Sequence, residues 1–190
     1  MNDAKLVEQF RGGDTRAFNR LVDRWQDRIH RFAYRYFASH DEAREITQKT
    51  FIRAYRKLNT LDDAEKFAAW IYRIANNLCL DEVKRAGRRR SASMRALGPD
   101  PIAEGLAANP ERGIQQKQLE ALLQQALSRL PDEQRVVVIM KEYEGLKFRE
   151  IADILNEPEN TVKSRMYYGL GKLRDIFDEW NIETEALYHE

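Results

Sequence analysis

Hydrophobic residues recur at steps of three and four through most of the chain, the spacing of one face of an α-helix. Three stripes of this kind lie in the first 80 residues. They are Phe18, Leu21, Val22, Trp25, Ile29, Phe32 and Tyr36, then Thr47, Thr50, Phe51, Ala54, Tyr55 and Leu58, then Phe67, Trp70, Ile71, Ile74, Ala75 and Leu78. The apolar run at 136–140 has helical neighbours, so we expect a buried helix there. The pattern predicts an all-α protein.

Gly12 and Gly13 separate the first stripe from a shorter apolar segment, and Asp14 is a plausible N-cap for the helix that follows. Between residues 88 and 116 the helical pattern stops, and glycine, proline and serine are frequent. Such composition is typical of a linker. We therefore expect two small helical domains, at 1–87 and 117–177, joined by a flexible linker at 88–116 and followed by an acidic tail at 178–190.

Charge is balanced overall but unevenly distributed. The chain has 190 residues, with 32 Lys and Arg against 31 Asp and Glu, a formal net charge of +1. This balance excludes a uniformly basic DNA-coating protein. Residues 84–99 nevertheless include six basic side chains and no acidic one, whereas residues 175–190 include six acidic side chains and no Lys or Arg. The asymmetry predicts a nucleic-acid contact near the middle of the chain.

The sequence lacks recognisable motifs for catalysis or metal binding. A single cysteine, Cys79, excludes an internal disulfide, and we expect it to be a small buried residue. His30, His40 and His189 lack metal-ligand spacing. We find no phosphate-binding glycine loop and no pairing typical of a nucleophile. We predict no catalysis, no metal and no cofactor. Without an apolar run of 18 residues or a signal-peptide core, we also predict a cytoplasmic protein with no membrane insertion.

The last third of the chain has the pattern of a helix-turn-helix. We expect a helix over 133–143 closed by Glu144 and Gly145, then a short helix over 148–155, a tight turn at 156–158, and a longer helix. The short helix would bury Phe148, Ile151, Ala152 and Leu155. The longer helix would bury Val162, Met166, Leu170 and Leu173.

A second, polar stripe runs along the longer helix. It consists of Asn160, Lys163, Ser164, Tyr167 and Tyr168. Amide, hydroxyl, ammonium and phenol groups on one helix face suit the base edges of the major groove. Arg165, Lys172 and Arg174 flank the stripe and could hold phosphates. An ordinary solvated helix face is the alternative, but the preceding short helix and turn favour DNA binding.

Several segments resemble a known family. LPDEQR (130–135), EGLKFREIA (144–152) and TVKSR (161–165) resemble the fourth conserved region of bacterial sigma factors. DEAREITQKTFIRAY (41–55) and FAAWIYRIANNL (67–78), followed by the basic run at 84–90, resemble the second. The order is correct, and the resemblance extends from about Lys5 to Phe177. A chain with only these two regions and a linker is similar to the extracytoplasmic-function (ECF) subgroup.

The resemblance implies an RNA polymerase sigma factor that directs the core enzyme to promoters and helps open the −10 element. The implied partners are core RNA polymerase, the duplex −35 element, the single-stranded non-template −10 strand, and an anti-sigma factor that would hold the protein at the inner face of the membrane.

The resemblance also implies three sets of site residues. The −35 set is Asn160, Thr161, Lys163, Ser164, Arg165, Tyr167 and Tyr168. The −10 set is Asp62, Asp63, Ala64, Lys66, Asn77, Lys84, Arg85 and Arg88. The core-binding set is Glu45, Gln48, Lys49, Arg53 and Arg56.

Two other classes of function stay open on the residues themselves. One is a helix-turn-helix repressor or activator that binds operators as a dimer without polymerase. The other is an interaction protein whose helix-turn-helix has lost DNA binding. The near-zero net charge favours a sigma factor over a free operator-binding protein, since free binding relies on neutralising phosphates. Phe67 and Trp70 could stack on unpaired bases, but they share the core stripe and packing is the favoured interpretation.

Overall fold

A computed structural model describes residues 2–94 and 112–180 of the chain. The elements in these ranges are helical. They are α1 (Asp3–Arg11), α2 (Thr15–Phe37), α3 (His40–Lys57), two 3-10 turns (Leu58–Thr60 and Ala64–Lys66), α4 (Phe67–Met94), α5 (Arg112–Ser128), α6 (Asp132–Val138), a π-helical turn (Ile139–Tyr143), α7 (Phe148–Leu155) and α8 (Glu159–Glu179). The expected all-α class is confirmed.

The N-terminal helices begin and end where local chemistry satisfies their free backbone groups. Asp14 caps α2 by accepting a hydrogen bond from the Arg16 amide, as predicted. Ala38, at φ 56°, ends α2 in the left-handed region, and Ser39 then caps α3 by accepting from the Glu42 amide. The sharp break between α2 and α3 therefore comes from two adjacent residues, and it places the two helices side by side.

The core of the N-terminal half is aromatic. Phe67 is 1% exposed and packs edge-on against Trp25, with ring centroids 5.9 Å apart. Tyr72 packs edge-on against both Trp25 and Phe32. Cys79 is fully buried, which confirms the prediction for it. Offset and edge-on ring contacts stabilise such a core beyond the effect of buried area alone.

The C-terminal half contains the predicted helix-turn-helix. Helix α7 has the expected bounds, and Asn156, at φ 55°, ends it in the left-handed region and forms the tight turn. Ile151, Ala152 and Ile154 are buried, whereas Phe148 and Leu155 are only half-buried. The buried apolar run at 136–140 is helical, as expected, but the helix expected over 133–143 changes at Ile139 into a π-helical turn.

One assignment on α8 was wrong. Leu170 was expected on the inner face, but it is 43% exposed. The buried side of α8 is formed by Val162, Met166, Gly169, Leu173 and Ile176. A Cβ on Gly169 would lie 2.9 Å from Val138 Cγ2, so glycine lets α8 approach α6 closely. Because Gly169 lies at the contact with α6, the next residue, Leu170, points away from that contact and toward solvent.

Helical backbone extends into both ends of the predicted linker, because α4 continues past Gly87 to Met94 and α5 begins at Arg112. The rest of the predicted linker and the tail beyond residue 180 lie outside the described residues. The two halves contact each other directly. Helix α7 packs on α4, and α5 and the π-helical turn pack on α2.

Candidate nucleic-acid and protein interfaces

The second helix of the helix-turn-helix presents a polar and aromatic face to solvent. Tyr167 and Tyr168 are each 71% exposed, although large aromatic rings usually pack when an apolar surface is within reach. Ser164 and Asn160 are exposed one and two turns earlier, and the Ser164 hydroxyl donates to the Asn160 carbonyl at 2.9 Å. These four side chains share the outward face that the sequence predicts, and Thr161 is half-buried beside them.

The two cations of the predicted −35 set are paired in this structure. Lys163 Nζ lies 2.6 Å from a carboxylate oxygen of Glu159. Arg165 lies 3.2 Å from Glu157 and 3.3 Å from Glu133, so it ties the turn and α6 to α8. Its side chain is only 21% exposed. Arg165 therefore ties the helix-turn-helix to its neighbouring segments, and Lys163 is the more accessible cation of the two.

The predicted −10 loop is anchored by one apolar residue and shaped by one carboxylate. Leu61 is 6% exposed and fixes the loop to the core. Asp63 accepts a hydrogen bond from the Glu65 amide at 3.0 Å and caps the 3-10 turn that follows. Asp62 and Lys66 are exposed, and Ala64 is half-buried. Asp63 thus shapes the loop, and Asp62, Glu65 and Lys66 are its other exposed charged side chains.

The rest of the predicted −10 set lies along one side of α4. Asn77 and Lys84 are exposed and two turns apart, and Arg73 lies one turn before Asn77 on the same face. Arg85 pairs with Glu82 at 3.1 Å. The side chain of Arg88 lies outside the described side chains. The neighbouring Asn76 is buried, with a side-chain oxygen that makes no hydrogen bond among the described residues.

Helices α2 and α3 enclose an apolar groove of about 870 Å³. Gln48 and Arg56, two of the predicted core-binding residues, line it. So do Ile52 and Tyr55, which are 46% and 49% exposed. Tyr55 was expected in the core stripe. It is held at the edge of the groove by edge-on contacts with Phe10 and Phe18, and this position depends on α1, which the stripe alone does not place.

Two other predicted core-binding residues face a second groove, between α3 and α4. Lys49 and Arg53 line it together with Arg56 and Glu82. Lys49 Nζ lies 2.5 Å from Glu45, and 3.9 Å from Glu82 across the groove. Of the five predicted residues, Gln48 therefore lines the apolar groove, Lys49 and Arg53 line the charged one, and Arg56 lines both, whereas Glu45 lines neither and pairs with Lys49.

Three buried groups are held in their neutral forms. Burial raises the pKa of Tyr72 well above its usual range, and the adjacent Glu144 carboxylate, which accepts a hydrogen bond from the Tyr72 hydroxyl, raises it further. Burial also raises the pKa of Tyr36 and of the Cys79 thiol. These groups lie in the core, away from the exposed faces described above.

His30 and His40 stack with ring centroids 5.8 Å apart, although they are ten positions apart in sequence. Within residues 2–94 and 112–180, no group of three or more His, Cys, Asp or Glu side chains is arranged to hold a metal ion. In the same ranges no helix has the length and apolarity needed to cross a bilayer.

An exposed polar face on the second helix of a helix-turn-helix is typical of a DNA-binding protein. The N-terminal helices α2, α3 and α4 carry an apolar groove and a charged groove, which suit a protein partner. Comparison with protein families agrees with this class. The family model for sigma-70 region 2 matches residues 21–89, and the model for sigma-70 region 4 matches residues 120–173.

Relatives cover nearly the whole chain. The ECF RNA polymerase sigma factor SigW of Bacillus subtilis is 34% identical over 177 residues, which are 90% of this chain and 94% of that protein. The RNA polymerase sigma-H factor of Pseudomonas aeruginosa is 34% identical over 87% of this chain and 88% of its own. The ECF RNA polymerase sigma-E factor of Escherichia coli is 33% identical over 88% and 90%. The chain belongs to the ECF sigma factors of bacterial RNA polymerase.

Solved structures have the same fold. CnrH, in complex with the cytosolic domain of CnrY, superposes with a TM-score of 0.68 at 23% identity, covering 93% of this chain and 97% of that one. RpoE of Bartonella quintana, in complex with the anti-sigma factor NepR, superposes with a TM-score of 0.65 at 21% identity, covering 85% and 96%. As a sigma factor, the chain binds core RNA polymerase and promoter DNA and acts in transcription initiation.

Proposed function

We propose that α8 reads the −35 element of the promoter and that the loop after α3, together with the exposed side of α4, reads the −10 element. The observation that carries the proposal is the pair of tyrosines that are each 71% exposed on the outward face of the second helix of the helix-turn-helix. Their rings can contact thymine methyl groups, while Asn160 and Ser164 offer hydrogen bonds to base edges. Lys163 would exchange its Glu159 partner for a phosphate.

At the −10 element, Asn77 would accept the base edge of a nucleotide turned out of the stack, and Lys84 would follow the backbone. The loop residues Asp62, Ala64 and Lys66 would form the wall of that pocket, with Asp63 capping the turn. Because unpairing costs a few kcal/mol, this reading is favoured where polymerase is already opening the duplex. The chain itself would supply binding and no catalysis.

Run-off transcription tests the assignment directly. The protein is added to bacterial core polymerase on a promoter-library template, and the RNA 5′ ends are sequenced. We expect starts that depend on the protein and share two upstream motifs. Tight duplex binding without polymerase, and no new starts, would instead favour an operator-binding repressor or activator, for which the relatives give no support.

A footprinting experiment tests the proposed −35 residues separately from the −10 and core-binding residues. Lys163→Ala combined with Tyr167→Ala should remove upstream protection by the holoenzyme while leaving co-elution with core unchanged. Asp175→Ala combined with Asp178→Ala, at exposed positions farther along α8, is the matched control and should retain the protection. An unchanged upstream footprint in the first variant would contradict the −35 assignment.

We propose an anti-sigma factor as a further partner, and the cytoplasm, in some states at the inner face of the membrane, as the place of action. The support is that the two solved structures above are complexes, one of them with a protein named as an anti-sigma factor. The partner would be established by two results. A specific protein should co-purify with this factor from its native cells, and deletion of that protein should increase transcription from the factor's promoters.

A further inference from the structure

The charged groove between α3 and α4 contains more cations than carboxylates. It has a volume of about 420 Å³. Its charged lining consists of five basic side chains and two acidic ones, which are Lys49, Arg53, Arg56, Lys57 and Arg85, and Asp81 and Glu82. The rest of the lining is Ile52 and Leu78, and Leu78 is only 8% exposed. Such an apolar floor strengthens the field of the charges above it, because it offers no solvent to screen them.

The cations at the two ends of the groove differ in their partners. At one end the half-buried Glu82 carboxylate lies 3.1 Å from Arg85 and 3.9 Å from Lys49, and so it balances two of the cations. Toward the other end, Arg53, Arg56 and Lys57 form no side-chain ion pair or hydrogen bond within residues 2–94 and 112–180. The groove therefore has one neutralised end and one end with three unpaired cations.

These three cations form a single ridge along α3. Residues three and four apart lie on the same face of a helix, so Arg53 is aligned with Arg56 and Lys57. All three are exposed. Arg56 and Lys57 lie in the last turn of α3, where the helix dipole favours positive charge, and they are stable there without carboxylate partners. The ridge is therefore available to bind an anion.

The geometry of the ridge fits phosphate. A guanidinium group presents a planar fork of donors that matches two phosphate oxygens, and a lysine adds a mobile point charge. From Arg53 to Lys57, α3 rises about 6 Å. One strand of DNA carries a phosphate for about every 3.4 Å of helix axis, so the ridge spans about two consecutive phosphates. The ligand class that the ridge suits is a phosphodiester backbone.

The end of the groove with the unpaired cations adjoins the proposed −10 site. Lys57 is followed directly by the 3-10 turn Leu58–Thr60, and the Thr60 hydroxyl donates to the Lys57 carbonyl at 2.8 Å. This hydrogen bond fixes the ridge to the loop that the −10 site uses. On the opposite wall, Leu78 directly follows Asn77. A strand with one base at Asn77 would therefore have neighbouring phosphates within reach of the ridge.

We propose that Arg53, Arg56 and Lys57 form a phosphate-binding ridge that holds the backbone of the non-template strand beside the −10 element. The proposal rests on the −10 site assigned under Proposed function. It gives Arg53 and Arg56 a role on promoter DNA, where the resemblance implies core polymerase. Phosphate contacts carry no sequence information, but they fix the register in which a base reaches Asn77. Asp81 lines the α4 wall and repels phosphate, so the backbone would lie against α3.

A double variant removes charge from the ridge and leaves the apolar groove intact. Arg53→Gln combined with Lys57→Gln keeps polar side chains that favour a helix. Arg56 is retained, because it also lines the apolar groove. Lys5→Gln combined with Arg20→Gln removes the same charge at exposed positions of α1 and α2 that line neither groove, and this pair is the control.

The comparison is made on holoenzymes. Circular dichroism verifies the helicity of each factor, which is then added until co-elution shows that core polymerase is saturated, so that core affinity does not enter the measurement. A ridge variant that is folded but cannot saturate core at any concentration would assign the ridge to polymerase and contradict the proposal.

The first measurement is the salt dependence of promoter binding. The probe is a forked DNA fragment with the motifs found by run-off sequencing and an unpaired −10 non-template strand. Each phosphate contact to a single strand contributes about 0.7 to the slope of log Kobs against log salt. At 0.1 M salt we expect the ridge variant to bind about tenfold or more weakly, with a slope lower by about 1.4, and the control to match the parent. Equal binding by all three holoenzymes, or an equal loss in the control, would overturn the ridge.

The second measurement locates the phosphates. Uncharged methylphosphonate linkages replace single phosphates of the non-template strand along the −10 element. We expect one or two of these replacements to weaken binding by the parent but not by the ridge variant, since both changes remove the same contact. Additive losses at every position would contradict the ridge alone. A parent holoenzyme that failed to protect the −10 element would instead refute the −10 site, and the ridge with it.

Discussion

At the residue scale, a close contact between α8 and α6 depends on one glycine. Gly169 has no side chain, and a Cβ there would lie 2.9 Å from Val138 Cγ2. Gly171, two positions later on the same helix, has no atom within 4 Å of an added Cβ. The sequence alone does not distinguish the two glycines, but a side chain would collide with α6 at Gly169 and would lie in open space at Gly171.

Gly169→Ala should lower the free energy of unfolding by about 1–3 kcal/mol, because the β-branched Val138 must shift to accommodate the new methyl group. Gly171→Ala should raise it by about 0.5–1 kcal/mol, since alanine restricts the unfolded chain and favours the helix. Urea unfolding followed by circular dichroism measures both. Equal effects of the two changes would contradict the assigned packing of α8 on α6.

Stability should fall in alkali. Burial raises the pKa of Tyr36, Tyr72 and Cys79 in the folded state above their unfolded values, which are about 10 for tyrosine and 8.5 for cysteine. The unfolded chain therefore releases these protons first, and stability is retained below the unfolded pKa values and lost above them. The urea midpoint should decline above about pH 9. Tyr72→Phe should make the decline shallower, whereas a constant midpoint to pH 10.5 would contradict the burial.

At the element scale, the two grooves beside α3 divide what the sequence treats as one set of polymerase-binding residues. Gln48 and Arg56 line the apolar groove with Tyr55 and Ile52, whereas Lys49 and Arg53 face α4. The apolar groove combines exposed aromatic and aliphatic surface with polar edges, the composition of protein–protein hot spots.

Gln48→Ala combined with Tyr55→Ala should weaken binding to core polymerase by about tenfold or more, because both side chains line the apolar groove. Lys49→Ala combined with Arg53→Ala should have a smaller effect, as exposed charges at a rim contribute little. Competition binding to labelled core measures each variant. Asn19→Ala combined with Arg20→Ala, at exposed positions of α2 that line neither groove, is the control. A larger effect of the Lys49 and Arg53 changes would indicate that the charged groove, rather than the apolar one, is the main contact with core polymerase.

At the scale of the whole molecule, two helical halves are held together by polar capping, of α7 by Arg73 and of α2 by Gln124, as well as by apolar packing. Such contacts break more readily than a continuous hydrophobic interface, since the freed carbonyls and guanidinium groups can be hydrated.

The domain boundaries can be tested by limited proteolysis. Residues 84–95 contain six Lys and Arg side chains, two just before the predicted linker at 88–116 and four within it. Trypsin should cleave first within or beside residues 88–116 and leave two resistant fragments, because cleavage requires locally unfolded chain. Intact-mass measurements over time identify the cut sites. Early cleavage inside α2 or α8 would contradict the two-domain organisation.

The helices, the helix-turn-helix, the polar stripe from Asn160 to Tyr168 and the family resemblance could all be predicted from the sequence. These follow from short-range spacing and from motifs that are contiguous along the chain. The sequence could not predict that Gly169 rather than Leu170 faces the core, that Tyr55 lies at a groove, or that Arg73 caps α7. Each depends on how closely a second helix approaches, and helix packing is set by elements far apart in sequence. Periodicity identifies the face of a helix that can be buried, whereas docking decides which residues at its edges are covered.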